Sequence, residues 1–113
     1  MSPGDIALIK MPQIGIAPPK LRPALVLALL PGVFQNVLVC GISTRLQDLE
    51  PNWDEVVAPH DPDFAASGLH RTSAVRLSYL YSADASDLVG AIGRIGSSRL
   101  DRLRARLAAL LRA

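Results

Sequence analysis

Cysteine and aromatic residues are what this chain has least of. Its 113 residues include one cysteine, Cys40, with one Trp, two Tyr and two Phe. A lone cysteine makes no internal disulfide. Its position inside an apolar segment predicts a buried, inert thiol, which suits a reducing cytoplasm. So few rings exclude a surface that grips single strands by stacking many bases. Contact with nucleic acid would have to rest on phosphates, backbone groups and a few polar side chains. No apolar run approaches the roughly 18 residues of a membrane span, so no membrane association is expected. The opening residues Met1, Ser2, Pro3, Gly4 and Asp5 lack the basic, apolar, small-residue order of a signal peptide.

Several enzyme classes are missing their signatures. Gly90, Gly93 and Gly96 have neither the strand-loop-helix context nor the lysine of a phosphate-cradling loop. No serine sits in a nucleophile elbow. His60 and His70 lie near Asp61 and Asp63, but no helix or strand spacing brings them together, so they read as loop residues. Neither a metal nor another cofactor is expected. Cys40 lacks a local activator and is a poor candidate nucleophile.

What the chain has in quantity is apolar surface. Half of its residues are hydrophobic, and the mean hydropathy is +0.27. Its length suits one domain, residues 1–113, with a single core. The apolar surplus predicts burial between two copies, a homodimer. Net charge is only +2. The basic excess falls in the second half, where residues 61–113 carry eight Arg against five Asp. That bias permits a polyanionic partner without requiring one.

Patterning predicts short strands and one terminal helix. Residues 4–11 alternate as a first strand, and residues 12–20, rich in proline, read as an exposed loop that carries function. Residues 24–30, between Pro23 and Pro31, read as a buried strand, and residues 37–42 return antiparallel to it. On this third strand Leu38, Cys40 and Ile42 share one face, with Val37, Val39, Gly41 and Ser43 on the other. Gly41 either leaves room for a ligand or marks a bulge. Further strands are expected over 53–58, 73–81 and 90–95, with a short helical stretch near 62–67. Ser97 or Ser98 is expected to cap a helix reaching about Leu111, with Leu100, Leu103, Leu107, Leu110 and Leu111 as its apolar stripe. Arg99, Arg102 and Arg106 flank that stripe as a solvated face or, less commonly, a basic face for RNA. Many short strands with one closing helix imply a small, mainly β, barrel-like fold.

The most telling pair is Arg22, at the mouth of the second strand, and Ser43, at the end of its neighbour. A guanidinium is a planar, permanently charged fork matched to phosphate oxygens, and a serine hydroxyl donates to or accepts from the same group. By spacing alone, a solvated strand edge and an ordinary strand end are the commoner explanation.

The ordered motifs carry more weight. They are Gly4-Asp5-Ile6-Ala7-Leu8, Lys20-Leu21-Arg22-Pro23-Ala24-Leu25-Val26-Leu27 and Val39-Cys40-Gly41-Ile42-Ser43, followed by Gly68-Leu69, Ser73-Ala74-Val75-Arg76 and Ile92-Gly93-Arg94-Ile95. Across essentially its whole length the chain resembles the MazF/PemK family of toxins from type II toxin–antitoxin systems, the mRNA interferases. The resemblance implies a small SH3-like β-barrel with a C-terminal α-helix and a homodimer. It also implies metal-independent, sequence-specific cleavage of single-stranded RNA, with a cognate antitoxin as partner. Arg22 and Ser43 match the family's catalytic arginine and hydroxyl positions. Gln13, Lys20, Thr44, Arg45, Ser78 and Tyr79 are the expected substrate-binding residues. Arg45 stands where glutamine is frequent in the family, and Ser78 and Tyr79 where acidic or amide residues are. The first loop also lacks the usual acidic, serine-rich character.

Cleavage of this kind is attack by a ribose 2′-hydroxyl on the adjacent phosphorus, leaving a cyclic phosphate and a 5′-hydroxyl. It requires RNA, because only RNA owns the nucleophile. Arg22 would stabilise charge growing on the phosphoryl oxygens, since a guanidinium is too weak an acid to serve as base. Ser43 would hold one of those oxygens. No residue is an obvious proton acceptor. The alternatives are a catalytically weak or inactive module binding RNA or antitoxin on the same fold, and a structural interaction domain.

Overall fold

The computed structural model describes residues 1–11, 18 and 20–113. Apolar alternation produces six antiparallel strands: β1 (Asp5–Met11), β2 (Lys20–Leu29), β3 (Val37–Ser43), β4 (Glu55–Val57), β5 (Ser73–Ala83) and β6 (Leu88–Arg94). They form one sheet in the order β4-β5-β3-β2-β1-β6. A single-turn helix α1 (Phe64–Ser67) lies between β4 and β5, and helix α2 (Ser97–Arg112) ends the chain. The chain is therefore mainly β with a C-terminal helix, as read from the sequence. The expected closure into a barrel is not made by strand pairing, since β4 and β6 are edges that do not pair among the described residues.

Helix α1 packs against the β6 edge. Gly68, its left-handed C-cap at φ +74°, and Gly93 of β6 let the two backbones meet directly. A Cβ at Gly68 would collide with the Ile92 carbonyl, and one at Gly93 with the Ala66 carbonyl. Two of the motifs noted in the sequence are thus one close approach seen from both sides. A third is an ion pair, in which Arg94 donates to Asp5 and also to the Pro3 carbonyl.

Each face of the sheet carries its own core. Ile6, Leu25, Leu27, Cys40, Ile42 and Leu77 pack with Leu103 and Leu107 of α2. The other face gathers Ala7, Ile9, Ala24, Val26, Val37 and Val39. The two faces of β3 fall as its alternation predicted.

Several local expectations are corrected. Strand β2 begins before Pro23, which pairs with Leu8 of β1. On its other side the ladder to β3 starts only at Ala24, so the missing proline N–H coincides with the end of that ladder. Strand β4 is three residues long rather than six. Gly96, not a serine, is the N-cap of α2, and no side chain caps that end. Of the leucine stripe, Leu103 and Leu107 are buried, while Leu110 and Leu111 remain exposed.

Arg99, Arg102 and Arg106 form neither a solvated nor a free basic face. Arg99 is buried and donates to Asp63 and Glu55 at 2.8 Å each, with Asp61 at 3.3 Å. Arg102 and Arg106 close on the same Glu55 at 2.8 and 2.9 Å. The sequence suggested a surface because arginine at helical spacing usually is one. The acids that pair with them lie 36 to 51 positions away, beyond any local pattern.

Candidate functional site

Beyond the pairing at Ala24 and Gly41, the β2–β3 register continued by two residues sets Arg22 across from Ser43. Both line one cleft of about 850 Å3 at this end of the sheet. They share the face of Val26 and Val39, whose apolar cluster stops at Ala24. The Arg22 side chain is exposed and, among the described residues, makes no hydrogen bond or ion pair. The Ser43 hydroxyl accepts from the Arg45 N–H at 3.1 Å. That bond fixes the oxygen and leaves the hydroxyl hydrogen to donate.

Four of the expected substrate-binding residues, Thr44, Arg45, Ser78 and Tyr79, also line the cleft. Lys20 is exposed at the start of β2 and does not line it. Gln13 lies outside the described residues, as does most of the loop over 12–19.

Strand β5 is irregular where it reaches the cleft. Cys40 pairs with Leu80 and Gly41 with Arg76, so residues 77–79 of β5 have no partner in β3. Gly41 adjoins this irregularity, as its bulge reading expects, and the place a Cβ would take there lies 3.6 Å from the Tyr79 side chain. The displaced segment is held by Asp54, whose carboxylate accepts from the Ser78 N–H and hydroxyl at 3.0 Å each. Ser78 therefore spends both donors inside the protein. Tyr79 is 67% exposed, with its ring presented to solvent.

Two residues given no role from the sequence stand out. Arg76 donates to the carbonyls of Arg45, Gln47 and Asp48 at 2.9, 2.7 and 3.1 Å. It thereby folds the segment after Ser43 back over the cleft, and Asp54 balances it at 3.9 Å. The available signal was a charge inside the apolar run of β5. Asp48 lines the same cleft with its backbone in the left-handed region, φ +58°. Nothing local in the sequence marks it, because Arg76 reaches it across 28 positions.

The residues lining the cleft thus include three arginines, Arg22, Arg45 and Arg76, and one acid, Asp48. Such an excess, next to an alcohol, favours an anion with several oxygens. Cys40 cannot serve as a nucleophile. Burial, then the charge of Asp54, pushes its thiol up to about 12, and its side chain is fully enclosed. Tyr81, half-buried at the cleft wall, is raised too, by burial first and then by Cys40. Asp61 and Asp63, the acids near the two histidines, are engaged by Arg99.

No curated protein matches the chain. Residues 2–111 match the family described as PemK-like, MazF-like toxin of type II toxin-antitoxin system. Those residues include every motif and the whole cleft, so the chain belongs to this family of toxins.

Proposed function

We propose that the chain is a metal-independent, sequence-specific single-strand endoribonuclease, the toxin partner of a cognate antitoxin. The observation that supports this most is that Arg22, whose side chain has no partner among the described residues, and Ser43 line one cleft. In this reading the scissile phosphate lies between them. The ribose 2′-hydroxyl attacks phosphorus, the bond to the 5′-oxygen breaks, and a cyclic phosphate and a 5′-hydroxyl result. Arg22 neutralises charge on the phosphoryl oxygens as they approach the transition state, and Ser43 donates to one of them. Arg45 and the exposed Tyr79 ring contact the flanking nucleotides, and Lys20 and Gln13 are further substrate-binding residues. The active form is a cytoplasmic homodimer of SH3-like barrels. Exposed Leu29, Val33, Phe34 and Leu111 are apolar surface that a second copy could cover.

A second reading is a module that binds RNA or antitoxin without cutting. It is favoured by Ser78, whose donors are taken up by Asp54. Incubating the purified protein with a mixed-sequence RNA in chelator separates the two. New cyclic-phosphate ends are the expected result. Retention of intact RNA would leave only the binding module.

A further inference from the structure

We infer that Asp48 is the proton acceptor of this cleavage, taking the hydrogen of the attacking 2′-hydroxyl. The inference rests on the nuclease reading above. The reaction needs a group to receive one proton as the oxygen–phosphorus bond forms, and the chain offers few. Of its ten acidic residues and two histidines, all lie among the described residues, and Asp48 is the one that lines the cleft. The others nearest in sequence have different work. Asp54 holds Ser78 and faces Arg76, and Glu55 is enclosed by three arginines. Residues 12–17 and 19, which lie outside the described residues, include no titratable side chain.

The local geometry is built rather than incidental. Asp48 holds a left-handed backbone conformation that costs roughly 1–2 kcal/mol for a residue with a Cβ, less for Asp and Asn. Arg76 holds it there through the Asp48 carbonyl, while the carboxylate itself makes no hydrogen bond or ion pair among the described residues. A strained residue, clamped by its backbone and open at its side chain, is a common arrangement for a reacting group. Charged and titratable neighbours on the cleft are Arg22 of β2, Arg45 of the same loop, and Arg76, Tyr79 and Tyr81 of β5. Arg76 acts here as a positioning residue.

The step balances without a co-reactant. The 2′-hydroxyl proton passes to the Asp48 carboxylate as the 2′-oxygen bonds to phosphorus. The phosphorus–5′-oxygen bond breaks, the leaving oxygen takes a proton from water, and Asp48 later returns its proton to solvent.

The test is Asp48→Asn, because asparagine accepts the left-handed conformation and keeps the fold. Single-turnover cleavage of an oligoribonucleotide spanning a mapped wild-type cut site is measured against pH, together with binding of its 2′-deoxy analogue. The expected result is a rate lower by about 10²–10⁴-fold with binding unchanged. The wild-type loss of rate on acidification should also be absent from the variant. Asp48→Glu should restore part of the rate. A variant that cleaves within about threefold of wild type, or keeps the acid limb, overturns the assignment. Wild-type protein that leaves no cyclic-phosphate ends overturns the nuclease reading itself, and this inference with it.

Discussion

The arginines of helix α2 and the arginines of the cleft bring the same charge into opposite settings. Arg99, Arg102 and Arg106 converge on Glu55, with Asp61 and Asp63 completing the cluster around Arg99. Arg22 and Arg45 carry no acidic partner among the described residues, although Asp48 shares their cleft. One cluster is internally neutralised and ties β4, α1 and α2 together. The other leaves its field unspent and facing solvent. Arg76 stands between these uses, giving its donors to backbone carbonyls and so shaping the cleft. A basic residue in this fold is therefore informative about function only once its partners are known.

The comparison breaks most sharply at Arg99. Its side chain is 10% exposed and faces three carboxylates. Arg99→Leu leaves Asp63 partly buried without its main partner and takes from Glu55 one of its three arginines. Removing one member of such a cluster typically costs about 3–5 kcal/mol, which lowers the melting temperature by roughly 10–20 °C in a domain of this size. Cleavage per folded molecule, measured well below the transition, should stay near wild type. An unchanged melting curve would show that the cluster is ornamental.

Arg22→Ala is the complementary break. An exposed residue without protein partners contributes little to stability, so the melting temperature should move by no more than a degree or two. Cleavage should fall by about 10²–10³-fold, the usual loss when a donor to a charged transition state is removed. Full activity in a folded Arg22→Ala protein would dissociate the guanidinium from the chemistry. The two variants together should separate stability from activity in opposite directions.

How much of this contrast is legible in the sequence depends on the range over which each part is written. Alternation on β3 correctly divides Val39, Gly41 and Ser43 from Cys40 and Ile42, because side-chain direction in a strand is set locally. The opposition of Arg22 and Ser43 follows from one antiparallel pairing of neighbouring strands. Six strands and the terminal helix are likewise short-range features. What remained hidden depends on long-range contact. Neither the partners of Arg99 nor the clamp from Arg76 to Asp48 has any periodic trace. Gly96 displaced the serines as N-cap because its N–H is held by Asp63 at 3.0 Å, another partner distant in sequence. Pro23 looks like a strand boundary in the sequence because nothing local shows that β3 stops pairing beside it.

The smallest predicted effect, and the one that best sharpens the contrast, is acid sensitivity. Burial alone would raise the Glu55 carboxyl, but the Arg102 hydrogen bonds and the charges of Arg102, Arg99 and Arg106 outweigh it and hold it below its ordinary 4.5. Hydrogen bonds from Arg99 chiefly hold Asp63 below its ordinary 3.8. Asp61 is lowered as well, first by the Ala58 N–H and only then, against burial, by Arg99. In each case the unfolded chain binds a proton more readily than the native one. Stability from these groups is therefore fully present above their ordinary values and is lost as pH falls through the lower native ones. The wild-type melting temperature should be nearly flat from pH 7 to about pH 5 and then decline by several degrees toward about pH 3. In Arg99→Leu this decline should become shallower, since Glu55 and Asp63 lose their principal or contributing cation while Asp61 keeps its bond to Ala58. In Arg22→Ala it should match wild type, because no carboxylate depends on that guanidinium. Equal acid slopes in all three proteins would mean that the carboxylates governing acid stability lie outside the α2 cluster.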